Sequence, residues 1–197
     1  MVTRFATLSV VVFCAGCLTS VPQPPKTWSI DPVVHDVASD VAEGRQSAFA
    51  TTRLGSVSVA APCDRTSFMV RRADGSVAFD PCNAFAAPPA SLMKVPVMSC
   101  LAADGRFGRV VGQSSVATAD AAVEVLVRDL SLDCRTEGRR MARAEVRLDV
   151  INTSRGPRAV VFAADGVGEA DAGNGNYSAA FSAALDSAIV TALRSLK

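Results

Sequence analysis

Ser91 and Lys94 form an S-x-x-K motif, the pattern that carries the nucleophile in one class of serine acyl-enzymes. That chemistry needs the lysine amine one helical turn from the serine, so that the amine can accept the hydroxyl proton. The same enzymes also use an S-D-N-type and a K-T-G-type element, and neither occurs in this chain. Because a four-residue pattern often arises by chance, we predict no catalytic residue and keep a serine hydrolase only as an alternative.

Four side chains with oxygen atoms lie in a stretch rich in Gly, Asp and Asn. Because calcium prefers oxygen ligands, this stretch could be considered as a calcium site. Their spacing does not match the EF-hand loop. We therefore expect a solvated, mobile loop over 165–176 and not a metal site. The four residues are Asp165, Glu169, Asp171 and Asn174.

His35 is the only histidine, and no partner for a metal ligand or a general base stands near it in the sequence. We expect it to be a surface residue. The chain also lacks the P-loop, G-x-G-x-x-G, H-E-x-x-H and G-x-S-x-G motifs. The sequence therefore predicts a protein that is not an enzyme and that uses no metal or cofactor.

Beyond Cys17 the chain has four cysteines, and an even number in an oxidising compartment favours disulfides in one of three connectivities. No two of the four lie two to four residues apart, which excludes a zinc ribbon. Cys100 and Cys134 could meet if the helix that carries one lies over the strand that carries the other. The four are Cys63, Cys82, Cys100 and Cys134.

Cys63 and Cys82 are the disulfide that we consider first. A turn at Asp74-Gly75 would place Ser67 opposite Cys82 and leave Cys63 four residues further along the strand. A Cys63–Cys82 bond therefore needs a bend at one of the neighbouring prolines. The alternative is that both are buried free thiols, which pack as small apolar groups.

The first seventeen residues direct the chain out of the cytoplasm. Arg4 precedes an apolar run that ends at Phe13, and two small residues precede Cys17. This order is typical of a secretory signal peptide, and the run is shorter than the ~20 residues that span a bilayer. A cysteine at this point is what a bacterial lipoprotein signal leaves as the new N-terminus. We therefore predict that Cys17 carries covalent lipid, palmitate among its acyl chains, which holds the protein on a membrane.

The residues around Cys17 refine this prediction. Cys14 stands where a lipobox usually has leucine, so an ordinary signal peptide cleaved nearby, which would leave a soluble exported protein, is the alternative. Leu18 follows the cysteine at a position where aspartate commonly marks retention in the inner membrane, which favours the periplasmic face of the outer membrane. Three prolines between residues 18 and 26 predict an extended tether.

Composition describes an ordinary exported domain. Without residues 1–16 the chain has 181 residues and equal numbers of acidic and basic side chains, so nothing indicates a nucleic acid or a polycation as partner. A chain of this length can bury one substantial core. The predicted organisation is a lipoprotein signal peptide over 1–16, a lipidated N-terminus and tether over 17–50, and one domain over 51–197.

Two helices are predicted after the tether. Pro88-Pro89 opens the first, Asp104-Gly105 ends it, and Pro96 should kink it or start it a turn late. An apolar stripe at helical spacing from Phe181 to Leu196 predicts the second.

Alternating or apolar runs predict the strands. Asp74-Gly75 is a hairpin signal, and a change of phase predicts a β-bulge near Arg128-Asp129. The predicted fold is α+β, a two-layer sandwich of two helices packed on a largely antiparallel sheet. The predicted strands cover 27–30, 54–59, 68–72, 77–79, 107–111, 123–134, 146–150 and 159–162.

Four segments in order, over residues 54–62, 67–72, 85–89 and 105–111, resemble a known family. It is that of the ABC-type transport auxiliary lipoprotein components, the PqiC-like outer-membrane partners of MCE lipid-transport systems. The resemblance covers about residues 50–197. It rests on a strand, a hairpin ending in Arg71-Arg72, an F-x-x-P-P helix entry and a G-x-F-x-x-V-V strand.

The resemblance implies a non-enzymatic role. Such proteins are thought to dock an MCE-type periplasmic tunnel protein whose far end meets an inner-membrane ABC permease, with a lipid or another hydrophobic molecule as cargo. The neutral composition permits a homo-oligomer. Arg71 and Arg72 are candidates for partner contact only as exposed charges. The alternatives are an assembly or scaffold lipoprotein of another envelope machine, and the serine hydrolase that would use Ser91 and Lys94.

Overall fold

The computed structural model describes residues 23–33, 47–154 and 159–196. Within these residues, helices on one side of an eight-stranded sheet confirm the α+β class. In chain order the elements are β1 Lys26–Trp28, β2 Phe49–Val59, β3 Ser67–Arg72, β4 Val77–Phe85, α1 Pro89–Leu92, α2 Lys94–Ala103, β5 Phe107–Val111, β6 Ala121–Cys134, β7 Met141–Asn152, β8 Ala159–Asp171 and α3 Tyr177–Ser195.

The three long strands β6, β7 and β8 form an antiparallel meander. Side chains alternate along β7, so that Ala144, Val146 and Leu148 are fully buried on the helix side while the residues between them reach the outer face. The register of β6 against β7 shifts between Val127 and Asp129. The predicted bulge is therefore confirmed, and it keeps the apolar residues on either side of it on one face.

The sheet is mixed, because two consecutive strands lie along one edge of β6. β2 runs parallel to the first half of β6, and β3 runs parallel to its second half. β5 extends the sheet beyond β2, whereas β4 and then β1 extend it beyond β3. The antiparallel pairing that the sequence favoured holds for β3–β4, β6–β7 and β7–β8, and the remaining pairs are parallel.

The hairpin of β3 and β4 is confirmed, with Gly75 at φ +81° in the turn. Its predicted register is wrong, since Ser67 pairs with Ala84 and not with Cys82. β4 bulges around Pro81, which has no amide to donate to the ladder. The Asp80 carboxylate instead accepts hydrogen bonds from the amides of Cys82 (2.7 Å) and Asn83 (3.2 Å).

The first predicted helix is present as two short ones. Pro89 occupies the first position of α1, which ends before Met93, and α2 begins at Lys94. Pro96 then lies in the first turn of α2, where its missing amide costs no intrahelical hydrogen bond. This outcome matches the predicted late start, and Gly105 (φ +69°) follows the helix as expected.

The predicted second helix is confirmed as α3, with the Asn176 side chain accepting from the Ala179 amide at its start. The mobile loop predicted over 165–176 is wrong up to Asp171, because β8 continues to that residue. Gly166 and Gly168 lie two residues apart in β8 and both face α3. A Cβ at either position would lie within 2.1 Å of a carbonyl oxygen of that helix. These glycines therefore serve close packing between strand and helix.

Part of the segment assigned to the tether belongs to the folded domain. β1 adds to the sheet beside β4, Trp28 contacts the Tyr177 ring edge-on at 5.3 Å between centroids, and Ile30 is buried. The Asp31 amide donates to the Ser182 hydroxyl of α3 at 2.8 Å. The polar segment predicted over 33–48 lies mostly outside the described residues, as does the turn predicted at 155–157.

Candidate functional site

Cys17, the predicted lipidation site, and His35, the histidine predicted to lie on the surface, are outside the described residues. The lipidation of Cys17 therefore stays a prediction. Among the described residues, no helix is long and apolar enough to span a membrane.

The structure does not bring Cys63 and Cys82 together. Both have free thiols, Cys63 buried and Cys82 exposed on the β4 bulge. The Cys63 sulfur lies 3.8 Å from the Met69 sulfur and 3.8 Å from an Asp129 carboxylate oxygen. Burial raises the pKa of the Cys63 thiol, which keeps it protonated and unreactive at neutral pH. The predicted disulfide is therefore absent, because one sulfur points into the protein and the other into solvent.

Cys100 and Cys134 also stay apart. Cys100 is buried between α2 and α3 and donates to the Asp186 carboxylate at 3.2 Å. Burial raises its pKa strongly, and the nearby charge of Asp186 adds to that effect. Cys134 has a free thiol and stands partly exposed as the last residue of β6. The contact between Cys100 and Asp186 links α2 to α3 and leaves no open site around the sulfur.

The S-x-x-K motif falls across the break between α1 and α2. Ser91 lies in the last turn of α1, and Lys94 is the first residue of α2. Both residues are exposed, so nothing shields an amine from water or prepares it to take a proton. The described structure thus provides no continuous helix turn that would pair this serine with this lysine.

Two of the three acidic residues that we considered as oxygen ligands for calcium pair with arginines of the sheet. Asp165 lies 3.0 Å from Arg128, and Glu169 lies 2.7 Å from Arg143. Asp171 accepts the Gly173 amide at 2.8 Å. In the part of the chain that the structure describes, no group of three or more His, Cys, Asp or Glu side chains is arranged to hold a metal ion.

These pairs belong to a larger network, which we name the charged face. It lies on the side of the sheet away from the helices, because its β7 members alternate with residues buried against α3. Individual exposed ion pairs contribute only ~0–1 kcal/mol to stability. A network of both signs on a rigid sheet suits specific recognition of another protein. Its members are Arg71, Arg128, Asp129, Arg143, Glu145, Arg147, Asp149, Asp165 and Glu169.

Asp129 is the buried centre of the charged face. It sits at the β6 bulge with 5% of its surface exposed. Arg71 from β3 approaches one carboxylate oxygen at 3.1 Å, and Arg143 from β7 approaches the other at 3.3 Å. Arg71 also donates to the Ser131 hydroxyl at 3.3 Å. Arg71 is therefore occupied within the sheet, and of the two hairpin arginines only Arg72 is exposed at the strand end.

Arg143 connects the centre of the charged face to its edge. Burial works to lower the pKa of its guanidinium, but the hydrogen bond to Glu169 and the charge of Asp129 outweigh that effect and raise it. Neither Arg143 nor Asp129 was predicted as a functional residue. The alternation of charge along β7 was visible, but nothing in it showed which residues of β3, β6 and β8 would lie opposite.

A cleft of 510 Å³ lies beside the charged face, where β2 meets the start of β6. β2 bulges between Leu54 and Val57, and the cleft is lined by Arg53 and Glu124 among others. Arg53 donates from Nη2 to the Ala117 carbonyl oxygen, while its Nε is buried with no acceptor among the described residues. Such unsatisfied donors are uncommon in folded proteins.

Comparison with known proteins gives one family and one fold. The family model of the ABC-type transport auxiliary lipoprotein component matches residues 35–192. No curated protein matches the chain.

Two solved structures illustrate the structural similarity. The crystal structure of protein XCC0632 from Xanthomonas campestris superposes with a TM-score of 0.60 at 17% identity, covering 83% of this chain and 86% of that one. A PelC dodecamer structure from Paraburkholderia phytofirmans matches with a TM-score of 0.39 at 15% identity, covering 78% of this chain and 92% of that one. The first of these supports the α+β fold described above.

Proposed function

Because this chain belongs to the family of ABC-type transport auxiliary lipoprotein components, we propose that it is a non-enzymatic lipoprotein on the periplasmic face of the outer membrane. In this role it serves an MCE-linked ABC transporter that moves lipids or other hydrophobic molecules across the envelope. The observation that carries the proposal is the extent of the family match, which spans the folded domain from before β2 into α3.

The proposal divides the chain into an anchor and a protein-binding domain. Acyl chains on Cys17 would keep the domain at a bilayer, since stable anchoring needs at least two lipid or electrostatic signals. The domain would then meet the tunnel protein without any chemical step. An exposed S-x-x-K motif broken between two helices supports a role without catalysis.

Metabolic labelling with palmitate, followed by mass spectrometry of the mature N-terminus, tests the anchor. We expect label on the wild-type chain and none on Cys17→Ser. Cys14→Leu is the matched control, because it changes the neighbouring cysteine to the usual lipobox residue and should label at least as well. An unmodified N-terminus at any position other than Cys17 would remove the anchor from the proposal.

Membrane fractionation tests the destination. We expect the wild-type chain in the outer-membrane fraction and Leu18→Asp in the inner-membrane fraction, since aspartate after the lipidated cysteine marks retention there. Equal distributions for both chains would contradict the proposed location.

Capture of the chain from crosslinked envelopes, with identification of the bound proteins, tests the partner. We expect an MCE-domain protein and ABC permease subunits, with recovery reduced in Cys17→Ser. Recovery of components of another envelope machine in their place would favour the assembly or scaffold role.

A further inference from the structure

The outer edge of β8 presents backbone groups that no described residue uses. Among the described residues β8 pairs with β7 alone. The Ala172 amide donates to the Arg140 carbonyl at 2.8 Å, one step beyond the pair Met141–Asp171. Because antiparallel strands alternate in the direction of their hydrogen bonds, even-numbered residues of this part of β8 bond to β7. The odd-numbered ones point their N–H and C=O groups outward, and these are Ala163, Asp165, Val167, Glu169 and Asp171.

This edge is long and partly apolar, and acidic residues and one bulge near Val161 are the features that interrupt it. β8 is 13 residues long, which corresponds to ~43 Å, and contains neither proline nor lysine. Val161 is 43% exposed and Val167 is 41% exposed. A long edge with exposed apolar residues is a template for pairing with another strand.

The side chains beside the free backbone groups are acidic. Asp165, Glu169 and Asp171 alternate on the outer face, and the side chains of Asp165 and Glu169 stay 52% and 47% exposed. The arginines that pair with them come from β6 and β7, on the far side from the free edge. A strand added at this edge would therefore meet a row of carboxylates.

The same acidic row argues against pairing between two copies of this chain. An antiparallel pair that uses all five outward-facing residues would place Val167 opposite Val167 of the second copy. Asp165 would then face Glu169 twice, and like charges directly opposite destabilise a strand pair. A partner strand with basic residues at alternate positions would instead form opposite-charge pairs at those positions.

We propose that the β8 edge binds an extended peptide segment of a partner protein that carries Lys or Arg at every second position. The segment adds to the sheet as a further strand: its backbone bonds to the odd-numbered residues of β8 while its cations contact the acidic row. This inference does not depend on lipidation or on the identity of the transporter, so it stands or falls separately from the proposed function.

A synthetic nine-residue peptide that alternates Lys and Val, capped at both ends, tests the proposal on the full-length chain. Binding is measured by fluorescence anisotropy, and amide exchange by NMR locates it. We expect protection of the amides of Asp165, Val167 and Glu169, and little change at Gly166 and Gly168. A peptide that alternates Glu and Val should bind at least about tenfold more weakly, and added salt should weaken the Lys peptide.

Two variants of Val167 separate the backbone contribution from the charge contribution. Val167→Pro removes one outward N–H and no β7 hydrogen bond, and should weaken the Lys peptide by about five- to tenfold. Val167→Lys keeps the N–H but adds a like charge to an exposed position, and should weaken it by up to about fivefold. Should Val167→Pro fail to fold in a thermal melt, Val167→Lys still provides the test.

Several results would overturn the proposal. These are equal binding of the Lys and Glu peptides, no binding of either, or unchanged affinity in both folded variants. Edge amides already protected without peptide would also overturn it: protection lost on dilution would identify a second copy as the occupant, and protection that persists would identify a segment of the same chain.

Discussion

Gly168 provides the sharpest test of how closely α3 must approach the sheet. A Cβ at this position would lie 2.1 Å from the Ala184 carbonyl oxygen and 2.5 Å from the Ala188 amide nitrogen. Both are backbone atoms of the helix, so no side-chain rotation can relieve the contact. In Gly168→Ala the helix has to move outward by about 1 Å, which already forfeits a quarter to a half of each affected van der Waals contact.

Gly168→Ala should therefore lower the free energy of unfolding by about 3 kcal/mol. Overpacking alone costs ~1–3 kcal/mol, and the buried residues of α3, Leu185 and Ile189 among them, lose contacts in addition. This loss is offset by ~0.4–1 kcal/mol, because alanine has less conformational freedom than glycine in the unfolded chain. For a chain of this size, a loss of about 3 kcal/mol lowers the melting temperature by roughly 6–12 °C. Urea unfolding followed by circular dichroism measures the difference.

Gly112→Ala is the matched control. The nearest atom to its added Cβ would be the Met98 sulfur at 4.0 Å, so we expect a change within about 0.5–1 kcal/mol. Gly166→Ala should behave like Gly168→Ala, since its Cβ would lie 2.0 Å from the Ala188 carbonyl oxygen. A stability of Gly168→Ala within about 0.5 kcal/mol of wild type would refute the close packing of α3 on β8.

Three further predictions concern the charged face and the helices. Asp129→Ala should lower the free energy of unfolding in urea by about 2 kcal/mol. This is below the ~3–5 kcal/mol of a fully buried pair, because the side chains of its two arginine partners are 35% and 24% exposed. Asp129→Asn should cost less, and equal losses for the two variants would contradict this reasoning. Because burial raises the pKa of Cys100 in the folded state, only the unfolded chain ionises this thiol above about pH 8.5, so stability should fall as pH rises past that value. Cys100→Ser should show a smaller fall in unfolding midpoint between about pH 8 and about pH 10, and identical falls would show that this thiol does not contribute. Arg106 donates hydrogen bonds to the Leu193 and Leu196 carbonyl oxygens at 2.5 and 3.1 Å, at the C-terminal end of α3. Arg106→Ala should therefore lower the free energy of unfolding by about 1 kcal/mol and speed amide exchange in the last turn of α3. Unchanged exchange would show that Arg106 does not cap this helix.

Local features of the fold were predictable from the sequence because neighbouring residues determine them. The Asp74-Gly75 turn, the bulge at Arg128-Asp129, and the apolar stripe of α3 all follow from backbone preferences or from the periodicity of one segment. Pro96 was expected either to kink a helix or to start it a turn late, and the late start is what the structure shows, since proline lacks the amide that a helix interior requires. These features fix where elements begin and end.

Features that depend on contact between distant segments were not predictable. Glycines in β8 appear as loop signals in the sequence, and only the position of α3 shows that Gly166 and Gly168 make room for a helix. The arrangement of β2 and β3 along one edge of β6 has no local signature. The same is true of Asp129, whose two arginines come from strands that precede and follow it in the chain.

The candidate site shows the same division. The prediction of a lipidated Cys17 rests on the sequence alone, because a signal of this kind is a short run of consecutive residues, and the family resemblance was likewise visible in short segments. The charged face and the free edge of β8 exist only in the tertiary structure, because strand pairing decides which side chains lie opposite and which backbone groups keep no partner. The sequence specifies which side chains of a strand alternate between the two faces of the sheet. The neighbouring strands determine which partners the exposed side chains and free backbone groups can bind.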